Sequence, residues 1–252
     1  MEKLPISVFI VAQDEEQHIG RLLDSCQNFA EIIVVDSGSS DNTKVIAENK
    51  GAKVIHQDWL GYAKQKQYAM SLCRCDWVLN LDADEQLTPD LINEFKRFVS
   101  SDHDYVALKC RRNDLFIGSF FSNLTRLPTN TRLFKKGTVE YYLDNLVHEG
   151  PKISGKVKNT SKSFNHYGYA NISLLTKKYN TYSTLKAEEK HQKGKRFSML
   201  KLLLIYPLEF IRHYLIYRYC FSGARGFIFS HLSAYYALSK EAKLYELNKT
   251  SK

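Results

Sequence analysis

No apolar run in the 252-residue chain reaches the roughly 18 residues that a membrane-spanning helix needs, so an integral membrane protein is not expected. Nor does a charged-then-apolar leader open it. Met1-Glu2-Lys3-Leu4-Pro5 leads straight into a strand-like run, and a cytoplasmic protein is the expectation. Cysteine is sparse: Cys26, Cys73, Cys75, Cys110 and Cys220 form an odd, scattered set without zinc spacing. That argues against a disulfide framework or a structural zinc site and for reduced thiols. Negative charge is scarce in one half only. Residues 127–252 hold 8 Asp+Glu against 22 Lys+Arg, whereas residues 1–126 hold 19 against 14. A basic half of this kind points to a polyanionic partner, nucleic acid or an anionic membrane surface. Thirteen of the 16 Tyr share that half, and Tyr beside Lys and Arg suits a membrane–water boundary better than a generic solvated face.

The acidic half reads as alternating strand and helix. Ile6 to Val11, Ile32 to Val35, Ala52 to Ile55 and Trp77 to Leu81 are short apolar runs of strand character, separated by helical spacing over 14–26, 41–50 and 61–73. Asp41 stands where it can cap the second of these helices, and Gly51 ends it. Such alternation predicts an α/β fold with a parallel, doubly wound sheet. Ligands of such sheets bind outside the carboxyl ends of strands. The ends of strands one, two and four then bring 12–16, Asp36 and 82–84 to one crevice. Thr88 and Pro89 predict another helix to about residue 101, followed by a strand over 105–110. From Arg111 to about Tyr141 a loop-rich excursion is expected, with short strands at 132–134 and 140–143. After residue 168 the chain turns helical, with a basic stretch from Lys186 to Arg196 and two long segments, 198–221 and 227–247. Pro207 is expected to kink the first.

The fourth strand carries the most telling chemistry. Its apolar run stops on Asp82-Ala83-Asp84-Glu85, and two carboxylates one residue apart at a strand end can converge on one hard cation, Mg²⁺ or Mn²⁺, that also holds diphosphate oxygens. Asp-x-Asp alone has little specificity. A second copy, Asp102-His103-Asp104, precedes its apolar run and reads as a solvated turn.

Together, "VVDSGSSDNT" at 34–43, "DWLGYAKQKQYAM" at 58–70 and "NLDADE" at 80–85 resemble the nucleotide-binding half of inverting glycosyltransferases of family 2, whose fold is called GT-A. "TRLFKKG" at 131–137, "LVHE" at 146–149 and "NHYGY" at 165–169 are similar to the branch that adds glucose to the inner core of lipopolysaccharide. The resemblance implies a GT-A catalytic domain over 1–168 and a helical, basic appendage over 169–252. It implies a UDP-sugar donor held by Ala12, Asp14, Glu15, Asp36, Lys64, Asp82 and Ala83, and a divalent metal held by Asp82, Asp84 and His166. Glu149 becomes the catalytic base, with Asp144 in reserve and His148 beside it. Arg132 would meet phosphate or anionic groups of the acceptor. Blander readings stand beside these: Glu15 and Glu16 as helix-start acids, Lys64 and Lys66 on a solvated helix face, Arg132 in a structural ion pair, His166 as ordinary packing. The Gln-x-x-Arg-Trp motif of processive members is absent, since the only Trp are Trp59 and Trp77, and one sugar per visit is expected.

The acceptor implied is a lipid-linked oligosaccharide, the heptose-containing lipopolysaccharide core, met on the cytoplasmic face of the inner membrane with no role for nucleic acid. Lys186, Lys190, Lys193, Lys195 and Arg196 would attract anionic headgroups, with Leu200, Leu203, Leu204, Leu208 and Ile211 in the boundary layer. Those leucines could equally pack against the catalytic domain or a second subunit of a homo-oligomer. Two other functions fit the same residues: transfer to polyprenyl phosphate or another glycan, and a non-catalytic basic module for membrane or RNA whose acids are only caps.

Overall fold

The computed structural model describes residues 3–141, 151–169 and 171–250. In chain order, the first elements are β1 (Leu4–Ala12), α1 (Ile19–Ser25), β2 (Phe29–Asp36), α2 (Thr43–Asn49), β3 (Lys53–His56), α3 (Tyr62–Ser71) and β4 (Trp77–Asp82). There follow β5 (Glu85–Gln86), α4 (Pro89–Ser100), β6 (Tyr105–Phe116), β7 (Ser119–Phe120), β8 (Thr129–Lys135), β9 (Val139–Tyr141), β10 (Pro151–Ile153) and β11 (Lys156–His166). Three helices complete the chain: α5 (Ile172–Gln192), α6 (Met199–Ile211) and α7 (Gly223–Thr250). The described residues fall into two compact units, one up to Asn113 together with Pro128–His166, the other Asp114–Leu127 with the residues from Tyr167 onward.

In the first unit the α/β reading holds. The strand order is β3-β2-β1-β4-β8-β6-β11-β5, and the parallel portion is β3-β2-β1-β4. Beyond β4 the pairings β4–β8, β8–β6 and β11–β5 are antiparallel. Alternation along β1 sorts its side chains between two cores. Ile6, Val8 and Ile10 join residues of α1, α2 and α4 on one face, while Phe9 joins Ile33, Val35, Val78 and the α3 residues Ala63, Ala69 and Met70 on the other. Each such fully buried large side chain contributes about 1.5–3 kcal/mol. Helices on both faces are what make these continuous apolar strands stable.

Several local expectations meet the structure directly. Thr88 Oγ1 accepts the Leu91 N–H at 3.3 Å and Pro89 opens α4. Asp41 Oδ1 accepts the Thr43 N–H at 3.0 Å, although the cap position itself is Asn42. Two expectations are corrected. The helix read from Asp14 begins only at Ile19, because Asp14 takes φ 53° and starts a loop. The excursion from Arg111 to Tyr141 is largely strand, through β6, β7, β8 and β9. The strand β11, which the sequence reading did not predict, closes the sheet against β5.

In the second unit α7 packs between α5 and α6. Glu241 of α7, almost fully buried, accepts hydrogen bonds from Lys190 of α5 and pairs with Lys201 of α6 at 2.9 Å, so one carboxylate ties all three helices. Phe116, Phe121, Leu175, Tyr219 and Phe229 form the apolar centre. After α6, which carries Pro207, the chain passes through a π-helical turn, Arg212–Ile216, and a 3-10 turn, Tyr219–Ser222, before reversing into α7. The reversal depends on Gly226. A Cβ there would lie 1.8 Å from the Tyr219 carbonyl oxygen, which is backbone and cannot swing aside. Gly226→Ala is therefore expected to destabilise the fold by about 3 kcal/mol, read as a drop in the urea unfolding midpoint.

Candidate active site

Parallel pairing puts the ends of β1, β2 and β4 at one edge of the sheet. Ala12 is the register partner of Asp36 and Val11 that of Asp82, so the two acids end the strands on either side of β1 in successive rows, one residue out of register, with neighbouring strands about 4.8 Å apart. Asp36 is fully buried. Its Oδ2 accepts the backbone N–H groups of Gly38 and Ser39, both at 3.0 Å, which fixes the turn after β2. Its Oδ1, also buried, has no hydrogen-bond partner among the described residues.

The loops after β1 and β2 are laced together. Asp14 Oδ1 accepts from Ser40 N at 2.8 Å and Ser40 Oγ at 3.0 Å, Glu15 N donates to Thr43 Oγ1 at 2.8 Å, and Glu16 Oε2 accepts from Asn42 N at 3.1 Å. The carboxylates of Asp14 and Glu16 are thus engaged in holding the loop pair. Gln65, which the sequence reading did not single out, is buried on α3 and binds Ser37 Oγ and the Gln57 carbonyl, each at 3.0 Å. It staples the turn after β2 to the segment leading into α3. Lys64, one residue before it, is exposed.

At the end of β4 both oxygens of Asp82 meet cations: Lys66 Nζ at 3.0 Å and Arg132 Nη2 at 2.7 Å. Arg132 is buried on β8. Its fork also binds Glu85, its Nη1 donates to Asn80 Oδ1 at 3.3 Å, and its guanidinium stacks 5.3 Å from the Phe164 ring. Arg132 thus sits in the structural ion-pair network weighed beside its phosphate or acceptor contact, its planar fork suiting two carboxylates at once. Burial opposes ionisation of Asp82, but the charges of Arg132 and Lys66 overcome it and hold this carboxyl far below its ordinary range. Glu85 goes the other way. Burial pushes it up to about 7, with Arg132 only partly opposing and Asp82 adding to the rise.

A stability test follows from that opposition. A raised folded-state pKa makes the Glu85 contribution full below its ordinary 4.5 and lost as pH rises through about 7. The Asp82 contribution, with its pKa depressed, persists above its ordinary 3.8 and fails only in strong acid. Between pH 4.5 and 8 the native chain should lose about 3 kcal/mol of stability relative to Glu85→Gln. Urea unfolding of both proteins at each pH measures it; parallel pH profiles would count against this assignment of Glu85.

Asp84 and His166 come together across the β5–β11 pair. His166 is in register with Glu85, and its Nε2 lies 3.3 Å from Asp84 Oδ2. Among the described residues no three His, Cys, Asp or Glu side chains are grouped to hold a metal ion. The pair suits Mg²⁺ or Mn²⁺ all the same, since such ions commonly take one or two protein ligands and complete their shell with phosphate oxygens and water. Ala83, between the two acids, is buried like Ala12. Tyr141, another residue the sequence reading passed over, ends β9 with a buried hydroxyl that has no hydrogen-bond partner among the described residues. Burial holds its pKa well above the ordinary range. Glu149, Asp144 and His148 lie outside the described residues.

Residues 7–158, more than half of the chain, match the family described as Glycosyl transferase family 2. The chain belongs to that family. As a family 2 glycosyltransferase it is 34% identical over 251 residues to the lipopolysaccharide core biosynthesis glycosyltransferase LpsC of Rhizobium meliloti (strain 1021), covering 97% of this chain and 93% of that one. It is 36% identical over 258 residues to an uncharacterized glycosyltransferase of Rickettsia felis, covering 98% and 90%. Among solved structures, S. aureus TarS residues 1–349 in complex with UDP superposes with a TM-score of 0.50 at 14% identity, covering all of this chain and 92% of that one. That likeness concerns the fold, which is GT-A, with a helical C-terminal segment following the sheet.

Proposed function

We propose that this family 2 enzyme transfers a single glucose from UDP-glucose, with inversion, onto the heptose-containing inner core of lipopolysaccharide, working from the cytoplasm on the inner membrane. One observation carries the donor part: at the end of β2, on the sheet edge where β4 ends at Asp82, buried Asp36 keeps an Oδ1 that no described residue hydrogen-bonds. A buried acceptor left bare costs about 1–3 kcal/mol, and the imide N–H of uracil or a ribose hydroxyl donating to it removes that cost. The diphosphate of the same nucleotide would then reach toward Asp84. Supporting the acceptor part is the name of the Rhizobium relative, a lipopolysaccharide core biosynthesis enzyme. TarS, of the same fold, was crystallised with UDP.

In this reading Asp84 and His166, with Asp82 alongside, hold Mg²⁺ or Mn²⁺, which when bound offsets charge on the departing diphosphate. Arg132 and Lys66 fix the Asp82 carboxylate and so its reach. Ala12 and Ala83 leave room for the nucleotide at the sheet edge, Glu15 stands at the mouth of the first loop, and exposed Lys64 lends positive charge near the phosphates. Glu149, by the family resemblance, takes the proton from the attacking hydroxyl on the face opposite the diphosphate, with Asp144 as the reserve base.

The test is incubation with a panel of nucleotide sugars and heptose-terminated core acceptor, with and without EDTA, reading free nucleotide. UDP release from UDP-glucose that requires acceptor and ceases with EDTA is expected. Release that ignores EDTA, or occurs with no UDP-sugar, would overturn the reading.

A further inference from the structure

The exposed side of α6 is the least accountable surface among the described residues. None of its residues is buried. One side packs on α7 through Tyr206, whose hydroxyl lies 2.7 Å from His231 Nδ1, and through Phe210, whose ring contacts Phe227 and His231. The other side is a stripe at helical spacing: Leu200, Leu203, Leu204, Leu208, Ile211 and Leu215, each between 46% and 68% exposed. A surface helix ordinarily turns its charged face outward, and a continuous exposed apolar stripe marks an interaction site. With the π-helical turn after it, this stripe runs about 27 Å, too short and too interrupted to cross a bilayer. Among the described residues no helix is long and apolar enough to do so.

We propose that the α6 stripe lies flat in the interfacial layer of an anionic lipid bilayer. The inference rests on the proposed lipid-linked acceptor and names the surface that would meet its membrane. Charge selects this occupant. From Lys186 to Arg218 the chain holds eight Lys+Arg against three Asp+Glu. Three of the cations expected to bind lipid are engaged in ion pairs, half-buried Lys186 and exposed Lys193 with Glu189 and half-buried Lys190 with Glu241. Lys195 and Arg196 at the start of the stripe, and Arg218 and Arg212 at its far end, are exposed, Arg212 while also paired with Glu209 at 3.0 Å. Cations at both ends of an apolar stripe match a headgroup layer with acyl chains beneath it. A second copy of the chain, packed about a two-fold axis on the same face, would set these basic ends against each other.

The experiment uses the full chain and sedimentation with vesicles of phosphatidylglycerol and phosphatidylethanolamine, compared with phosphatidylcholine alone. The chain should sediment with the anionic vesicles, and less as salt rises. Leu203→Gln with Leu208→Gln should reduce binding at least tenfold, and Lys195→Glu with Arg196→Glu several-fold. Both sets replace exposed side chains, and unchanged thermal melting verifies that they fold. Vesicle binding untouched by the Gln pair would overturn the proposal. So would a concentration-dependent dimer in analytical ultracentrifugation that the Gln pair dissolves while vesicles go unbound. UDP release with detergent-dispersed acceptor separates the two readings. If it persists in the absence of vesicle binding, only the membrane inference falls; if vesicles bind and no UDP-sugar turns over, the proposed function falls instead.

Discussion

Asp84→Asn should lower turnover on the order of 10³-fold and also weaken UDP binding, whereas Glu149→Gln should lower turnover by about 10²–10⁴-fold while UDP binding stays within a factor of two. The two failures differ because the residues are proposed to act at opposite ends of the reaction. Asp84, 3.3 Å from His166, is proposed to act on the nucleotide's side. In the proposed role, removing its charge would remove a ligand for the ion and one source of attraction for the diphosphate complex, and both ground state and transition state would feel that. Glu149 is proposed to touch only the acceptor hydroxyl, so its loss leaves the nucleotide held and the proton without a place to go. Calorimetry with UDP in the presence of Mn²⁺, beside turnover with UDP-glucose and core acceptor, measures both quantities. A Glu149→Gln enzyme of native activity would hand the base role to Asp144. An Asp84→Asn enzyme of native activity and affinity would remove the proposed metal site.

Arg132→Leu is expected to destabilise the chain by about 3–5 kcal/mol, the scale for stripping one partner from a buried ion pair. The guanidinium bridges Asp82 and Glu85 and reaches Asn80, all at the base of the candidate site. Its loss leaves Asp82 with Lys66 as its remaining cation and Glu85 buried with only His166 to offset its charge. Glu85 can retreat by holding a proton, since its pKa is already near 7, and that limits the damage at low pH. Arg132→Lys should recover only part of the loss, because an ammonium is a point donor that cannot serve two carboxylates and an amide in one plane. Urea unfolding at pH 7 of the native chain and both variants measures this. A lysine variant as stable as the native chain would show that charge, not the fork, is what the site needs. The same substitution should lower turnover even where the protein folds, since Asp82 would lose the contact that sets its orientation.

Where the local pattern was strong, the fold was legible. The continuous apolar runs of β1, β2 and β4 can only be buried strands, and their acids could be set at the sheet edge from spacing alone. Thr88-Pro89 announced α4 in the same way. What misled was polarity. β11 reads Lys156-Val157-Lys158-Asn159-Thr160-Ser161-Lys162-Ser163-Phe164-Asn165-His166, with only Thr160, Phe164 and His166 buried, so it offers almost no apolar alternation. It is a strand because its backbone is paired within the sheet, not because its side chains demand burial. β6 ran six residues beyond its expected end for a related reason, its polar residues Asn113 and Asp114 being buried rather than solvated.

The sequence by itself determined which carboxylates share the sheet edge: register along parallel strands follows from their hydrophobic runs, and the position of Asp36 and Asp82 at strand ends needs nothing more. Tertiary structure alone decided what each of those acids touches. Arg132 comes 50 residues after Asp82 in the chain, and His166 reaches Asp84 only because β11 returns to pair with β5. Such contacts depend on long-range pairing and on which charge wins a buried partner, and these are properties of the assembled sheet that no local periodicity records.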